Sequence, residues 1–453
     1  MLAKNEIAHD AGMAVNDPAP PVRGIMLITP ARRRIMLVLL CVIYTLNYLD
    51  RQIVVILQEP IKSEFRLQDW QLGLLTGGAF GLFYTLMGVP IAHWVDRGGN
   101  RVRLLAGMLA VWSALTALCG LARSYGSFFL ARMGVGLAEA GFAPASQALI
   151  SDLYSRDERP RAMGLFSIGV PIGVMAGMAI GGIVAHQTDW RVALFVAGFP
   201  GLIVAMLFAT FAREPARGAS EAERAVQEQA APPVSLWRAT RILGRRAAFV
   251  HVIAGTAVTA LVEMAMTSWM PSFLIRAHGF SLSQVGVGFG LIAGIGGIIG
   301  TMAGGWQGSY LGRKGMHRML WVPIAGLLLC IPLYLAVLYI PDGRTALALL
   351  ILPTILGAFW TAPAIALTQN LAPVAMRARA AALRIVAANL VGMALGPLLT
   401  GALSDWFATD AGSNAIGLRN ALAVMTLLFI WAALHWVLAV RALRRELREE
   451  AAD

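Results

Sequence analysis

Apolar stretches of about 20 residues alternate with short polar connections along the chain, the spacing of helices that cross a hydrocarbon layer about 30 Å thick. Twelve such stretches are predicted, near 35–58, 70–93, 103–123, 127–150, 161–185, 191–212, 248–270, 284–307, 318–340, 345–368, 380–403 and 417–440. The connections are brief except from Arg213 to Arg246, where charge is mixed (Glu221, Glu223, Arg224, Glu228). That segment ends in Val234-Ser235-Leu236-Trp237-Arg238-Ala239-Thr240-Arg241. Its Leu, Trp and Arg pattern predicts a helix lying on the membrane surface. The predicted organisation is a tail over 1–34, a six-helix bundle over 35–212, a linker with an amphipathic helix over 213–247, a second six-helix bundle over 248–440, and a tail over 441–453.

Composition removes the alternatives. A chain of 453 residues that is 58% hydrophobic and 14% charged, with mean hydropathy +0.67, fits no soluble globular class. The net charge of +12 is compatible with nucleic-acid binding, but its distribution is not. About 27 of the 37 basic residues fall on the side of the N-terminus and about 7 on the other, while Arg51, Arg132 and Arg384 fall inside spans. This positive-inside bias places both termini in the cytoplasm, as expected of a multi-pass protein of a cell inner membrane. Residues 1–24 are polar and carry Asp17-Pro18-Ala19-Pro20-Pro21, which reads as a disordered tail and not a signal peptide. Cys41, Cys119 and Cys330 each fall in an apolar span, where they read as small core residues. No metal-spaced histidine cluster, phosphate-cradling GxxxxGK or nucleophile with a base is present in the sequence. No enzymatic activity, cofactor or metal is therefore expected.

The two halves repeat one another. Ala143-Pro144-Ala145 and Arg159-Pro160-Arg161-Ala162 follow span 4, and Ala362-Pro363-Ala364 and Arg377-Ala378-Arg379-Ala380 follow span 10, at offsets of 219 and 218. Asp96-Arg97-Gly98-Gly99-Asn100-Arg101 after span 2 matches Ser309-Tyr310-Leu311-Gly312-Arg313-Lys314 after span 8, at an offset of 213. Duplicated six-helix halves are what alternating access requires, two rigid bodies rocking about a central site.

On these features the chain resembles the major facilitator superfamily, whose gating loop has the pattern D-R-x-G-x-R after span 2. The implied fold is an all-α membrane protein of twelve transmembrane helices in two pseudo-symmetric six-helix bundles. Asn47-Tyr48-Leu49-Asp50-Arg51, Gly136-Leu137-Ala138-Glu139-Ala140 with Pro144, and Ile150-Ser151-Asp152 resemble the Spinster-like branch. The anion:cation symporter branch is similar, since it also places Asp-Arg in span 1 and an Arg and a Glu seven apart in span 4.

The candidate chemistry lies in buried charges. Each ionised side chain in a span costs roughly 2.5–3.5 kcal/mol on insertion scales, so such groups face protein or a watery cavity. Arg132 and Glu139 share one face of span 4, about 10 Å apart along its axis. Asp50 and Arg51 lie at a comparable depth, so two acids and two bases could balance in one network. Asp50 and Glu139 are the candidate proton carriers, and Arg51 and Arg132 the counter-charges or the grip on an anionic substrate. A static ion-pair cluster fixing spans 1 and 4 would read the same way. Glu263 in span 7 is a further candidate for substrate or counter-charge. Arg384 is close enough to its span end to snorkel. Asp96, Arg97, Arg101 and Asp152 are the candidate gate, with Asp96 near the N-terminus of span 11 and Arg97 pairing with Asp152. Tyr48, Met264, Met266, Trp269, Phe359, Trp360, Thr361 and Thr368 are candidate cavity wall, although a bundle core has the same composition.

One charged wall facing one apolar, aromatic wall suits an amphipathic anion. The resemblance implies a lysolipid or sphingoid-like molecule moved by proton-coupled alternating access. The alternatives are a proton-coupled symporter of small organic or aromatic acids, with Arg51 holding the carboxylate, and a transporter-like membrane sensor. The expected partners are the substrate, protons and the lipid bilayer; no nucleic acid is expected, and the chain is expected to act as a monomer.

Overall fold

Thr29 and Pro30 open the first helix. The Thr29 hydroxyl accepts from the Arg32 N–H at 3.4 Å, and proline sits in the first turn, where its missing N–H costs nothing. The computed structural model describes residues 28–97, 99–155, 157–215, 235–373 and 376–449. The predicted disordered tail, the linker charges at 221–228 and the side chain of Asp96 lie outside the described residues.

Ten helices among the described residues are long and apolar enough to cross a membrane. They are α1 (Pro30–Ile56), α3 (Arg101–Cys119), α5 (Arg159–Gln187), α6 (Trp190–Phe211), α7 (Ala247–His278), α8 (Leu282–Gly312), α9 (Met316–Tyr339), α10 (Gly343–Asn370), α11 (Arg377–Thr409) and α12 (Asn414–Glu449). Two further crossings are built from pieces. In α2 (69–96), Asp69–Gly73 runs through a π-helical segment, Leu74–Gly78, into Ala79–Asp96. In α4 (125–153), Tyr125–Glu139 and Phe142–Leu153 are separated at Ala140 and Gly141. Gly141 has φ +83°, a left-handed conformation that favours glycine, and a Cβ there would lie 2.4 Å from Ile91 Cγ2. The break thus falls directly after Glu139.

Helix starts follow their capping residues. Ser124 and Ser281 form capping boxes with Ser127 and Gln284 at the heads of α4 and α8. Asn100 and Asp342 cap α3 and α10. Glu214, following α6, accepts from the Val102 N–H at 3.0 Å, and Glu446 accepts from the Ala248 N–H at 3.0 Å at the head of α7. In the short helix Leu236–Leu243, Trp237 is 79% exposed.

Glycine seams bring helices to backbone contact. Along α5, Cβ atoms at Gly169, Gly173 and Gly177 would meet the α1 carbonyl oxygens of Cys41, Thr45 and Leu49 at 2.7, 2.4 and 2.7 Å. Between the halves, Gly182 of α5 abuts the Leu282 carbonyl and Gly286 of α8 abuts that of Met178. Gly73 of α2 abuts the Pro397 carbonyl, and Gly401 of α11 abuts that of Asp69. These cross-half seams lie on the side away from the two ends of the described chain, called here the far side; the opposite side is the terminal side. In membranes such small-residue packing replaces the hydrophobic drive that water supplies elsewhere. Gly173→Ala is expected to force α1 and α5 apart and to cost about 1–3 kcal/mol, read as a lowered melting temperature in detergent.

Candidate functional site

Asn47, Asp50 and Arg51 are spaced three and four apart on α1, so one helix face carries all three. Opposite them, α4 presents Arg132 and Glu139. The Arg51 Nε donates to Glu139 Oε2 at 3.0 Å, with Glu139 fully buried and the Arg51 side chain 14% exposed. Arg132 Nη1 approaches the Asp50 carbonyl at 3.5 Å, and the Thr116 hydroxyl of α3 donates to Asp50 Oδ2 at 3.0 Å. The Arg51 guanidinium lies over Phe80 and Tyr84, each 4.7 Å from its ring centroid, and 5.1 Å from that of Tyr48. Cation–π contact of this kind stabilises a guanidinium that has left water. Of the four charges predicted to form a network, Arg51 and Glu139 pair directly, while Arg132 approaches only the backbone of Asp50 and the Asp50 carboxylate bonds to Thr116. Thr116, Phe80 and Tyr84 join them; a threonine and two aromatics in apolar spans carry no signal in the sequence that separates them from core.

The cluster is incompletely satisfied. Asp50 Oδ1, Glu139 Oε1, Arg132 Nε and Asn47 Nδ2 are buried without hydrogen-bond partners. Most buried polar groups are paired, so each exception calls for a physical reason. A proton on either acid turns an orphaned acceptor into a donor.

Glu263 of α7 is the pseudo-symmetric counterpart of Asp50: its offset of 213 is that of the loop repeat. Cys119 of α3 stands near Asp50 and Cys330 of α9 near Glu263, which repeats the arrangement in the second half. No arginine is repeated with it. The Gly357 backbone of α10 lies against the Glu263 carboxyl, where a Cβ would be 3.1 Å from Oε1. The Trp360 indole N–H points toward the same group without forming a well-aligned bond.

Two expectations need correction. Trp269 is not cavity wall: it is fully buried and its indole N–H donates to the Pro397 carbonyl at 2.9 Å, joining α7 to α11. The guanidinium that reaches Asp152 is that of Arg101, not Arg97, which is exposed. Arg101 starts α3, so its side chain turns into the bundle, where its Nε also donates to Glu214 at 2.7 Å. Trp360 is buried, and Phe359 and Tyr48 are partly so. Arg101 is 3% exposed and ties α3, α4 and the end of α6 together. Arg101→Ala is expected to cost about 3–5 kcal/mol by leaving two carboxylates without their shared cation, measurable as thermal destabilisation.

Nearby on the terminal side, Arg33 holds Glu158 through bonds of 2.8 and 2.9 Å. Hydrogen bonds and charge from Arg33 hold the Glu158 carboxyl below the usual glutamate range. The contact therefore persists at neutral pH and is lost as pH falls through that lowered value.

On the far side a second charged cluster spans the halves. Arg276, near the end of α7, donates to Asp69 at 2.6 and 2.8 Å and to both oxygens of Glu59 at 2.9 and 3.0 Å. Ser404 of α11 donates to Asp69 Oδ2 at 2.6 Å, and Lys62 pairs with Oδ1. Asp405 accepts from the Asp69 and Trp70 N–H groups at 2.9 and 2.8 Å, capping α2 from the other half. The Ser272 hydroxyl donates to Gln58 at 3.1 Å beneath this layer. An open depression of about 400 Å³, lined by Glu59, Lys62, Ser63, Arg66, Leu67, Arg276 and Asn414, lies against it. The sequence reading missed this latch because charges at span ends are ordinary, and nothing in their spacing pairs residues some 200 positions apart.

Comparison with known proteins agrees with this architecture. The model of the Major Facilitator Superfamily matches residues 40–390. The chain is 31% identical over 412 residues to an MFS-type efflux pump of Mycolicibacterium smegmatis, covering 91% of this chain and 94% of that one. It is 30% identical over 409 residues to human protein spinster homolog 1, covering 85% and 76%. A crystal structure of a bacterial homologue of the human lysosomal transporter Spinster, inward-facing and unoccupied, superposes with a TM-score of 0.84 at 28% identity, covering 91% of this chain and 98% of that one. A nucleoside transporter superposes at 0.73 with 12% identity, which speaks to fold alone. With ten membrane-length helices and two interrupted ones among the described residues, a charged centre between α1 and α4 and these relatives, the chain belongs to the Major Facilitator Superfamily as a Spinster-like multi-pass membrane transporter.

Proposed function

We propose that the protein is a proton-coupled secondary transporter of an amphipathic anion, of lysolipid or sphingoid-like class, working by alternating access. The observation that carries this reading is the Arg51–Glu139 pair: a cation still partly exposed, ringed by Tyr48, Phe80 and Tyr84, and bonded to a fully buried acid. An anionic head group reaching Arg51 competes with Glu139 for it. A glutamate released from its arginine in a dry setting takes up a proton, so anion binding and protonation are coupled. Asp50, also carrying an orphaned oxygen, is the second carrier and Arg132 its counter-charge. The aromatic rings supply the apolar face that an acyl or aryl group requires.

The bundles over 35–212 and 248–440 are the two bodies that rock. The far-side latch closes one end, and Arg101 with Asp152 forms part of the gate at the terminal side. The asymmetry of Lys and Arg supports an orientation with both termini in the cytoplasm.

A thermal-shift screen on purified protein tests substrate class by comparing lysophospholipids and sphingoid phosphates with small carboxylates. Stabilisation by the lipids, lost in Arg51→Ala, is the expected result. Stabilisation by small carboxylates alone would replace this reading with the organic-acid symporter. For coupling, Glu139→Gln is expected to abolish the dependence of transport on a pH gradient, and an unaltered pH response would remove Glu139 from the proton path.

A further inference from the structure

The first-half cluster is balanced: Asp50 and Glu139 face Arg51 and Arg132. Its counterpart in the second half is not. Glu263 sits near the middle of α7, the position that repeats Asp50, yet the groups around it are Cys330 and Tyr334 of α9 and Gly357 and Trp360 of α10. Among the described residues no arginine, lysine or histidine pairs with it. The neighbouring hydrogen-bonding capacity is largely committed elsewhere, since the Cys330 thiol donates to the Pro353 carbonyl at 3.4 Å. Nor is the carboxyl sealed in. Glu263 is only partly buried as a residue, unlike the buried Asp50 and Glu139, and among the described residues no well-formed hydrogen bond is made to its carboxyl. An acid left accessible at mid-membrane without a cation of the protein's own is a site for one brought from outside.

We infer that Glu263 is a binding site for organic cations: it receives a protonated or quaternary amine, or a comparable lipophilic cation, on a molecule that the transporter carries. This deepens the reading of the site as a transport site and rests on it. The two walls then have different tasks. Arg51 attracts an anionic group on the first half, and Glu263 a cationic one on the second. Gly357 belongs to the same device, because a side chain there would meet Oε1 and occupy the approach.

The test uses full-length protein in nanodiscs of uncharged lipid, with radiolabelled tetraphenylphosphonium as the cation and tetraphenylborate, equal in shape and opposite in charge, as control. Wild type is expected to bind tetraphenylphosphonium saturably. Glu263→Gln should weaken this binding at least about tenfold, the equivalent of about 1.4 kcal/mol, while Glu263→Asp keeps it within about threefold. Gly357→Leu should weaken it with the carboxylate still present. Size-exclusion profiles and melting curves report whether each variant folds, and a misfolded Glu263→Gln leaves the comparison to Gly357→Leu and Glu263→Asp. Equal binding by wild type and the folded Gln variant would overturn the inference. So would lysolipid stabilisation of wild type without any saturable tetraphenylphosphonium binding, and in that case the amphipathic-anion reading survives alone. Cation binding without lysolipid stabilisation would support the site and remove that reading.

Discussion

Arg51→Ala is expected to reduce transport in proteoliposomes to the protein-free background and to lower the melting temperature at neutral pH. The bond from Arg51 Nε to Glu139 Oε2 is 3.0 Å long, and Glu139 has no exposed surface. Removing one partner of such a pair costs about 3–5 kcal/mol, because the remaining charge is stranded away from water. Protonation of the stranded glutamate limits that cost, so the destabilisation should shrink in acid. Arg51→Ala combined with Glu139→Gln removes both charges, and replacing both members of a buried pair is far less costly than removing one. The double variant should therefore recover much of the melting temperature while remaining inactive. Recovery of stability without activity separates the two roles of the pair, fixing α1 to α4 and moving substrate. If the double variant were as unstable as the single one, the two residues would not be coupled; an active single variant would take Arg51 out of the site.

Asp69→Asn is expected to open the far side. Asp69 joins the halves through two bonds from Arg276 and one from Ser404, while Lys62 of its own half also pairs with it. An amide keeps the shape of the carboxylate but loses the charge that holds Arg276, which then has only Glu59. If the latch contributes about 3 kcal/mol to the closed form, its loss shifts the open-to-closed ratio on the order of a hundredfold. Spin labels on the far-side ends of α2 and α7 should report a longer distance population in Asp69→Asn than in wild type. Glu64→Gln is the matched control. Its partner Arg191 lies in the same half, and both side chains are partly exposed, so its removal should leave the distances unchanged. An unaltered distance distribution in Asp69→Asn would assign closure to the glycine seams alone.

Much of the fold was legible because membrane insertion imposes a simple rule. A span must be long, apolar and internally hydrogen-bonded, so length and hydropathy alone locate it. The same rule located the two crossings built from pieces but hid their interruptions. Hydropathy averages over the π-helical segment Leu74–Gly78 and over the break at Ala140 and Gly141, since neither changes how apolar the stretch is. The central charges were legible for a related reason: Asp50, Arg51, Arg132 and Glu139 are costly in lipid, which marks them wherever they point. Aromatic residues carry no such mark. Trp269 read as cavity wall and proved to be a buried bridge to Pro397, because a tryptophan serves a core and a ligand equally well.

What the sequence determined by itself was the position of the apolar stretches, the duplication of the halves and the identity of the mid-membrane charges. Each of these follows from local composition or from the numbering of residues. Only the tertiary structure decided which charges meet. Side-chain direction at a helix start gave Asp152 to Arg101 and left Arg97 exposed. The approach of α7 to α2 made a latch of Arg276 and Asp69, ordinary span-end charges some 200 residues apart. Packing of α7 against α9 and α10 left Glu263 without the arginines that its counterpart Asp50 possesses. Pairing energies depend on distances between helices, and helix spacing is set by the glycine seams, which a linear pattern does not place against one another.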